Sequence, residues 1–191
     1  MYFPKLCYSL AGWHIIAHSF FFFRCCVNMK LNEFLDCIRL LDLPLSTRSH
    51  CLVYYFALIE YGNHHKLPVT LDILAAASVH IACKQTYIQR KLRDVVNVFY
   101  YAIHTSDRYI ELNKSFWNLK DTLVHAEYLV LRILNFDTEI NDAYDHLVDC
   151  FQKLGSKTTS YTDTEYKLIC QCSLTWLNDS LTCKSVRIFN K

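Results

Sequence analysis

Residues that make sharp turns are scarce in this chain, and that scarcity constrains its fold more than any motif. Three glycines and three prolines occur in 191 residues, where average usage would supply roughly 12 per hundred. Sandwiches, barrels and Gly-rich nucleotide-binding folds need more, so the expected class is all-α. The length suits one domain, or one complete domain and part of a second, with a real core. Hydrophobic residues at 52% and charged residues at 20% exclude a disordered chain. The formal net charge is +2, so no strong field steers the protein to nucleic acid.

Ten cysteines raise the question of metal or disulfide chemistry. None forms a C-x-x-C pair, and Cys170 and Cys172, two apart, point to different faces of a helix. Most sit in apolar helical context, where free cysteine behaves as a small hydrophobe. No structural metal or cofactor is expected, and a reducing nucleus or cytoplasm is the expected compartment.

Residues 1–29 read as an N-terminal extension. Phe20 to Phe23 follow an apolar stretch broken by His14 and His18, and Arg24-Cys25-Cys26 comes next. A signal peptide or anchor is one reading. Against it, the run falls short of about 18 uninterrupted apolar positions, and no A-x-A-like cleavage site follows. The other reading is an unusual or non-native extension, with the domain beginning near Met29. No membrane contact is expected unless the extension is a true anchor.

Helix signals then follow in series. Leu31, Phe34, Leu35, Ile38 and Leu41 share one helical face, and Leu43-Pro44 ends that helix. Ser46 reads as the N-cap of a second, running to about Tyr61 and stopped by Gly62 as C′. Pro68 and Thr70 open a third, whose Ala75-Ala76-Ala77 makes it the central element. A fourth covers Arg93 to Ile103 with Val95, Val96 and Phe99 inward. After a loop at 107–113, a fifth runs from Ser115 to Asn135, carrying Phe116, Leu119, Leu123, Ala126, Val130 and Leu134 on one stripe. Residues 30–136 thus read as a five-helix unit. Beyond it come a helix at 143–154, a Gly/Ser/Thr linker at 155–163 and a helix at 165–182. Two helices cannot bury their apolar faces alone, so 137–191 reads as a linker and part of a second helical unit, cut short.

Catalytic signatures are missing: no G-x-S-x-G, H-E-x-x-H, P-loop or G-x-G-x-x-G occurs. His64-His65 reads as a solvated turn pair. His125 and Glu127, two apart, do not face each other on a helix. The expectation is a protein that is not an enzyme.

Two stretches carry a family resemblance. Ala76-Ala77-Ser78-Val79-His80-Ile81-Ala82-Cys83-Lys84 resembles the end of the third helix of a cyclin box, with the family lysine at Lys84. His125 to Phe136 is similar to the fifth helix of that box, with the family glutamate at Glu127. Leu92 to Val98 and Ser115 to Asp121 resemble the cyclin Q group, small cyclins related to the L, K and T cyclins. The resemblance implies a five-helix cyclin box at 30–136 followed by an incomplete second box. It also implies an activating subunit of a cyclin-dependent Ser/Thr kinase, with cyclin-dependent kinase ten as the partner. Ile81, Leu131 and Phe136 would form an apolar seat for the kinase C-helix, Lys84 and Glu127 would satisfy its backbone groups, and Arg132 would lie at the rim. Departures follow Lys84, where Gln85-Thr86-Tyr87 replaces the family's apolar residue and two acids, and in the first helix, which lacks the docking motif of cell-cycle cyclins. Two rival readings are a non-activating cyclin-fold scaffold and a nucleic-acid adaptor like general transcription factors of the TFIIB type. For the latter, Arg90, Lys91 and Arg93 supply only a small basic cluster.

Overall fold

The computed structural model describes residues 29–104, 110–157 and 162–182. Among them are seven α-helices and no strand: α1 Leu31–Leu40, α2 Leu45–His64, α3 Leu71–Gln85, α4 Leu92–His104, α5 Lys114–Ile133, α6 Ala143–Lys157 and α7 Asp163–Leu181. The all-α expectation holds. Residues 1–28 and 183–191, and with them the anchor question and the chain's last segment, lie outside the described residues, as does much of the expected 107–113 loop.

Helix α3 is the hub. Its residues from Asp72 to Val79 are all buried, as are Ile81, Ala82 and Cys83, and it packs against α2, α4 and α5. The three consecutive alanines explain this placement, because a methyl group lets neighbouring helix backbones approach on several sides. Ser78 is accommodated there by donating to the Ala75 carbonyl at 2.7 Å. Around the hub, Phe34 of α1 stacks on Tyr55 of α2 with ring centroids 4.2 Å apart and meets Phe99 of α4 edge-on at 6.3 Å. One aromatic cluster thereby joins three helices in geometries that aromatic quadrupoles favour.

Several helix ends differ from the sequence reading. Ser46 is not the cap of α2. Pro44 holds that position, its fixed φ suiting a helix start, and Ser46 lies inside the first turn, where its carbonyl accepts from Ser49 Oγ at 2.7 Å. Gly62 does not stop α2, which continues to His64. A Cβ at Gly62 would lie 3.0 Å from Leu67 Cδ1, so the glycine admits the returning chain instead of ending the helix. Gly155 likewise lies inside α6, which shortens the expected 155–163 linker. A Cβ there would sit 3.4 Å from the Tyr166 hydroxyl of α7. The start of α5 is capped by Asn113, whose side chain accepts from the backbone N–H of Ser115 at 2.9 Å and Phe116 at 3.3 Å.

Helices α6 and α7 run antiparallel. Tyr144, at the start of α6, donates to Asn178 near the end of α7 at 2.6 Å, while Tyr166, early in α7, donates to the Phe151 carbonyl at 3.0 Å. The pair meets the bundle where Ser49 Oγ of α2 lies 3.3 Å from Asp142 Oδ1.

Two buried features set the chemistry of the interior. Cys37, Cys51 and Cys83 are free and buried. Burial pushes the Cys37 thiol up to about 12 and that of Cys83 to about 11, so both remain unreactive thiols. Asp72 is buried at the start of α3 and accepts the Met29 N–H at 2.9 Å, while Tyr55 donates to the Met29 carbonyl at 2.7 Å. Burial raises the Asp72 carboxyl above its usual range, with the Met29 hydrogen bond pulling against it and Glu33 adding to it.

Candidate functional site

The C-terminal halves of α3 and α5 meet through three polar side chains. His80 and Lys84 are one helical turn apart on α3, so they share a face. That face is turned to Glu127 of α5. Lys84 Nζ donates to Glu127 Oε2 at 2.7 Å, and His80 Nδ1 hydrogen-bonds Glu127 Oε1. The side chains of His80 and Glu127 are only 13% and 12% exposed, against 58% for Lys84. Burial pushes the Glu127 carboxyl up, but the hydrogen bonds and charges of His80 and Lys84 outweigh it and hold the carboxyl below its ordinary value.

Lys84 and Glu127, assigned from the resemblance to a partner's backbone, are thus paired with each other. The arrangement still leaves donor capacity outward: an ammonium carries three protons, and Glu127 takes one. Sequence pattern alone does not place His80 in the cluster. Its signal was present in the sequence, since it precedes Lys84 by four positions, but a histidine in an apolar helix carries no mark of the residue it will face across a bundle.

The expected apolar seat divides by exposure. Ile81 is 6% exposed and belongs to the core, so it can back the surface and not form it. Leu131 is half-buried and packs against that core, Arg132 is exposed, and Phe136 is 65% exposed. Phe136 sits beyond the end of α5 with φ +59°, following Asn135 at +54°. Its N–H closes on the Leu131 carbonyl at 2.7 Å. Tyr87, two residues beyond α3, shows the same pattern, with φ +57° and 93% exposure. A left-handed backbone is disfavoured for aromatic residues, and such conformations concentrate at ligand-contacting sites. Both helices that contribute to the polar cluster therefore end by presenting an aromatic ring to solvent at a conformational cost. Beside the cluster, His80, Cys83, Lys84, Tyr87, Ile88 and Arg90 line an open cleft of about 560 Å³.

Among the described residues no three His, Cys, Asp or Glu side chains are grouped so as to hold a metal ion, and no helix is long and apolar enough to cross a membrane.

No family model matches the chain. It is 25% identical over 148 residues to Cyclin-L1 of Gallus gallus, and 25% and 24% identical over the same length to Cyclin-L2 of Homo sapiens and Mus musculus. Each alignment covers 75% of this chain and 26% of the relative, so the chain spans about a quarter of the length of the curated relatives it matches. These similarities support a relationship to the cyclin family. They carry the names of L cyclins and so support that relationship without singling out the cyclin Q group.

Proposed function

We propose that this protein is a regulatory subunit of a cyclin-dependent Ser/Thr protein kinase and performs no chemistry itself. A kinase of this kind is active when its C-helix is held inward, aligning the Lys–Glu ion pair and the metal-binding Asp on ATP. A partner that binds the inward state better shifts the population toward it, and moving 1:99 to 99:1 takes about 5.5 kcal/mol of differential affinity. The observation that carries this reading is the surface at the ends of α3 and α5, where the Lys84–Glu127–His80 cluster lies on helices that each end in an exposed, left-handed aromatic residue. Phe136 and the half-buried Leu131 would supply apolar contact, Lys84 a hydrogen-bond donor and Arg132 a rim charge, with Ile81 supporting them from beneath. In this reading residues 30–136 constitute a cyclin box, and α6 and α7 belong to a second helical unit. The finer assignment, cyclin Q with cyclin-dependent kinase ten as partner, is supported by the resemblance of the segments Leu92 to Val98 and Ser115 to Asp121, and a nuclear or cytoplasmic placement by cysteines in apolar helical context.

Pull-down of cyclin-dependent kinases and measurement of their phosphorylation rate test the proposal. Lys84→Ala combined with Phe136→Ala should lose binding and activation while the helical signal stays intact. Retention of both activities in that variant removes the assigned surface. Binding without any rise in turnover selects a non-activating scaffold instead.

A further inference from the structure

A second cleft, of about 610 Å³, lies at the C-terminal end of α3, and its lining is polar. Asp137 and Glu139 come from the segment after α5, Asp142 and Asp145 from the start of α6, and Gln85 and Thr86 from the end of α3. Four carboxylates thus line one cleft of a chain whose formal net charge is +2. The end of α3 adds the partial negative charge of its last carbonyls.

Part of this cluster has a local explanation. Asp142 Oδ1 accepts the Tyr144 N–H at 3.1 Å and lies 3.3 Å from the Ser49 hydroxyl, and Asp145 lies in the first turn of α6, so both suit a helix start. That explanation leaves Asp142 Oδ2. Asp142 is 8% exposed, and Oδ2 is buried with no hydrogen-bond partner. Charged oxygens in such places are normally satisfied. Asp137 and Glu139 are exposed and lie outside the helices, so capping does not account for them.

His50, which also lines the cleft, donates its Nδ1–H to the Ser46 carbonyl at 2.9 Å. The neighbouring cation Arg48 donates Nε to the Leu43 carbonyl at 2.6 Å. Lys84, adjacent to Gln85, is paired with Glu127. The carboxylates do not converge into a group that would hold a metal ion, so they fit an extended, multi-donor cation.

We infer that this cleft binds an arginine-bearing peptide segment of a partner protein, with the guanidinium placed among Asp137, Glu139 and Asp142. A planar fork of five donors matches dispersed carboxylate oxygens better than the point charge of lysine. The inference stands apart from the kinase reading, because its probe contains no kinase.

The test is a titration of the isotopically labelled full chain with a short peptide carrying two adjacent arginines among serines and alanines, followed by NMR. Amide shifts should concentrate at Gln85, Thr86 and 137–145, and the same peptide with lysines should bind more weakly. Asp137→Asn with Glu139→Gln, which removes exposed charge and no packing, should weaken binding about tenfold and flatten its salt dependence. The charge-matched control Glu111→Gln with Asp121→Asn should leave binding unchanged. Lys84→Ala with Phe136→Ala should also retain peptide binding, whatever happens to the kinase. Equal binding by the cleft variant and the control overturns the inference. So do shifts scattered over the surface, or calcium that binds the cleft and displaces the peptide.

Discussion

Glu127 and Asp72 are carboxylates on helices of one bundle, yet their environments push them in opposite directions, and so their contributions to stability carry opposite signs. For Glu127 burial is outweighed by His80 and Lys84, and the folded carboxyl titrates below its ordinary value of 4.5. Its contribution is therefore complete above that value and is lost as pH falls through the lower, folded value. Thermal melts should show stability declining below about pH 4.5, and Glu127→Gln should remove part of that decline. An unchanged acid limb in the variant would rule out the cluster as its source. Truncation to Glu127→Ala strands the His80 N–H in a site that is 13% exposed and should cost roughly 1–3 kcal/mol. For Asp72 burial dominates and the folded carboxyl is raised above 3.8. The native state then holds a proton more tightly than the unfolded chain, so stability falls as pH rises from about 3.8 through the folded value. Asp72→Asn keeps an oxygen for the Met29 N–H and removes the buried charge. It should melt higher than the parent at pH 7, with the difference vanishing near pH 4. A lower melting temperature at pH 7 would show that the charge itself holds the Met29 turn.

At the scale of helices, Gly62 gives the sharpest prediction. It lies inside α2, where glycine is about 1 kcal/mol worse than alanine, but an alanine Cβ would press Leu67 Cδ1 at 3.0 Å. The contact is with the far end of a flexible side chain, so Gly62→Ala should stabilise the protein in urea by less than about 1 kcal/mol. Destabilisation would mean that Leu67 is wedged and cannot yield. The same residue shows why the sequence resolved the helices and not their ends. Apolar spacing in Leu31 to Leu41 and Phe116 to Val130 depends on neighbours three and four residues away, so it is visible locally, and the alanine run marked α3 as central for the same reason. Local preference alone makes Gly62, Gly155 and Ser46 each a helix end. What decides at the glycines is the approach of Leu67 and Tyr166, and Ser46 yields to the adjacent proline. The site divides in the same way. Lys84 and Glu127 were legible through resemblance to a known pattern. The joining of His80 to them, the burial of Ile81 and the acidic cleft arise from contacts between helices far apart in sequence, which periodicity does not encode.

Across the whole molecule, stability is distributed unevenly, and the distribution has a measurable consequence. The interior is built from α1 to α5, with α3 buried along most of its length. In α7 only Leu181 is buried, while Leu168 is 59% and Trp176 77% exposed. Leu168, Ile169, Cys172 and Trp176 recur at helical spacing along one open face. Among the described residues α7 packs chiefly on α6, with Leu177 and Leu181 reaching the core, and α6 meets the bundle through Tyr144 and a few groups around Asp142 and Ser49. A helix that buries so little apolar surface opens at lower free energy than the core it leans on. Hydrogen exchange at neutral pH should therefore rank the amides, with those of Ala75 to Ala82 protected to the level of global unfolding and those along α7 exchanging orders of magnitude faster. Because the Tyr144–Asn178 and Tyr166–Phe151 bonds hold α6 and α7 together, Tyr166→Phe should speed exchange in both helices and leave α3 unchanged. Equal protection of α3 and α7 would show instead that the antiparallel pair unfolds cooperatively with the bundle, the small contact around Asp142 then coupling the two parts of the molecule more tightly than its buried area implies.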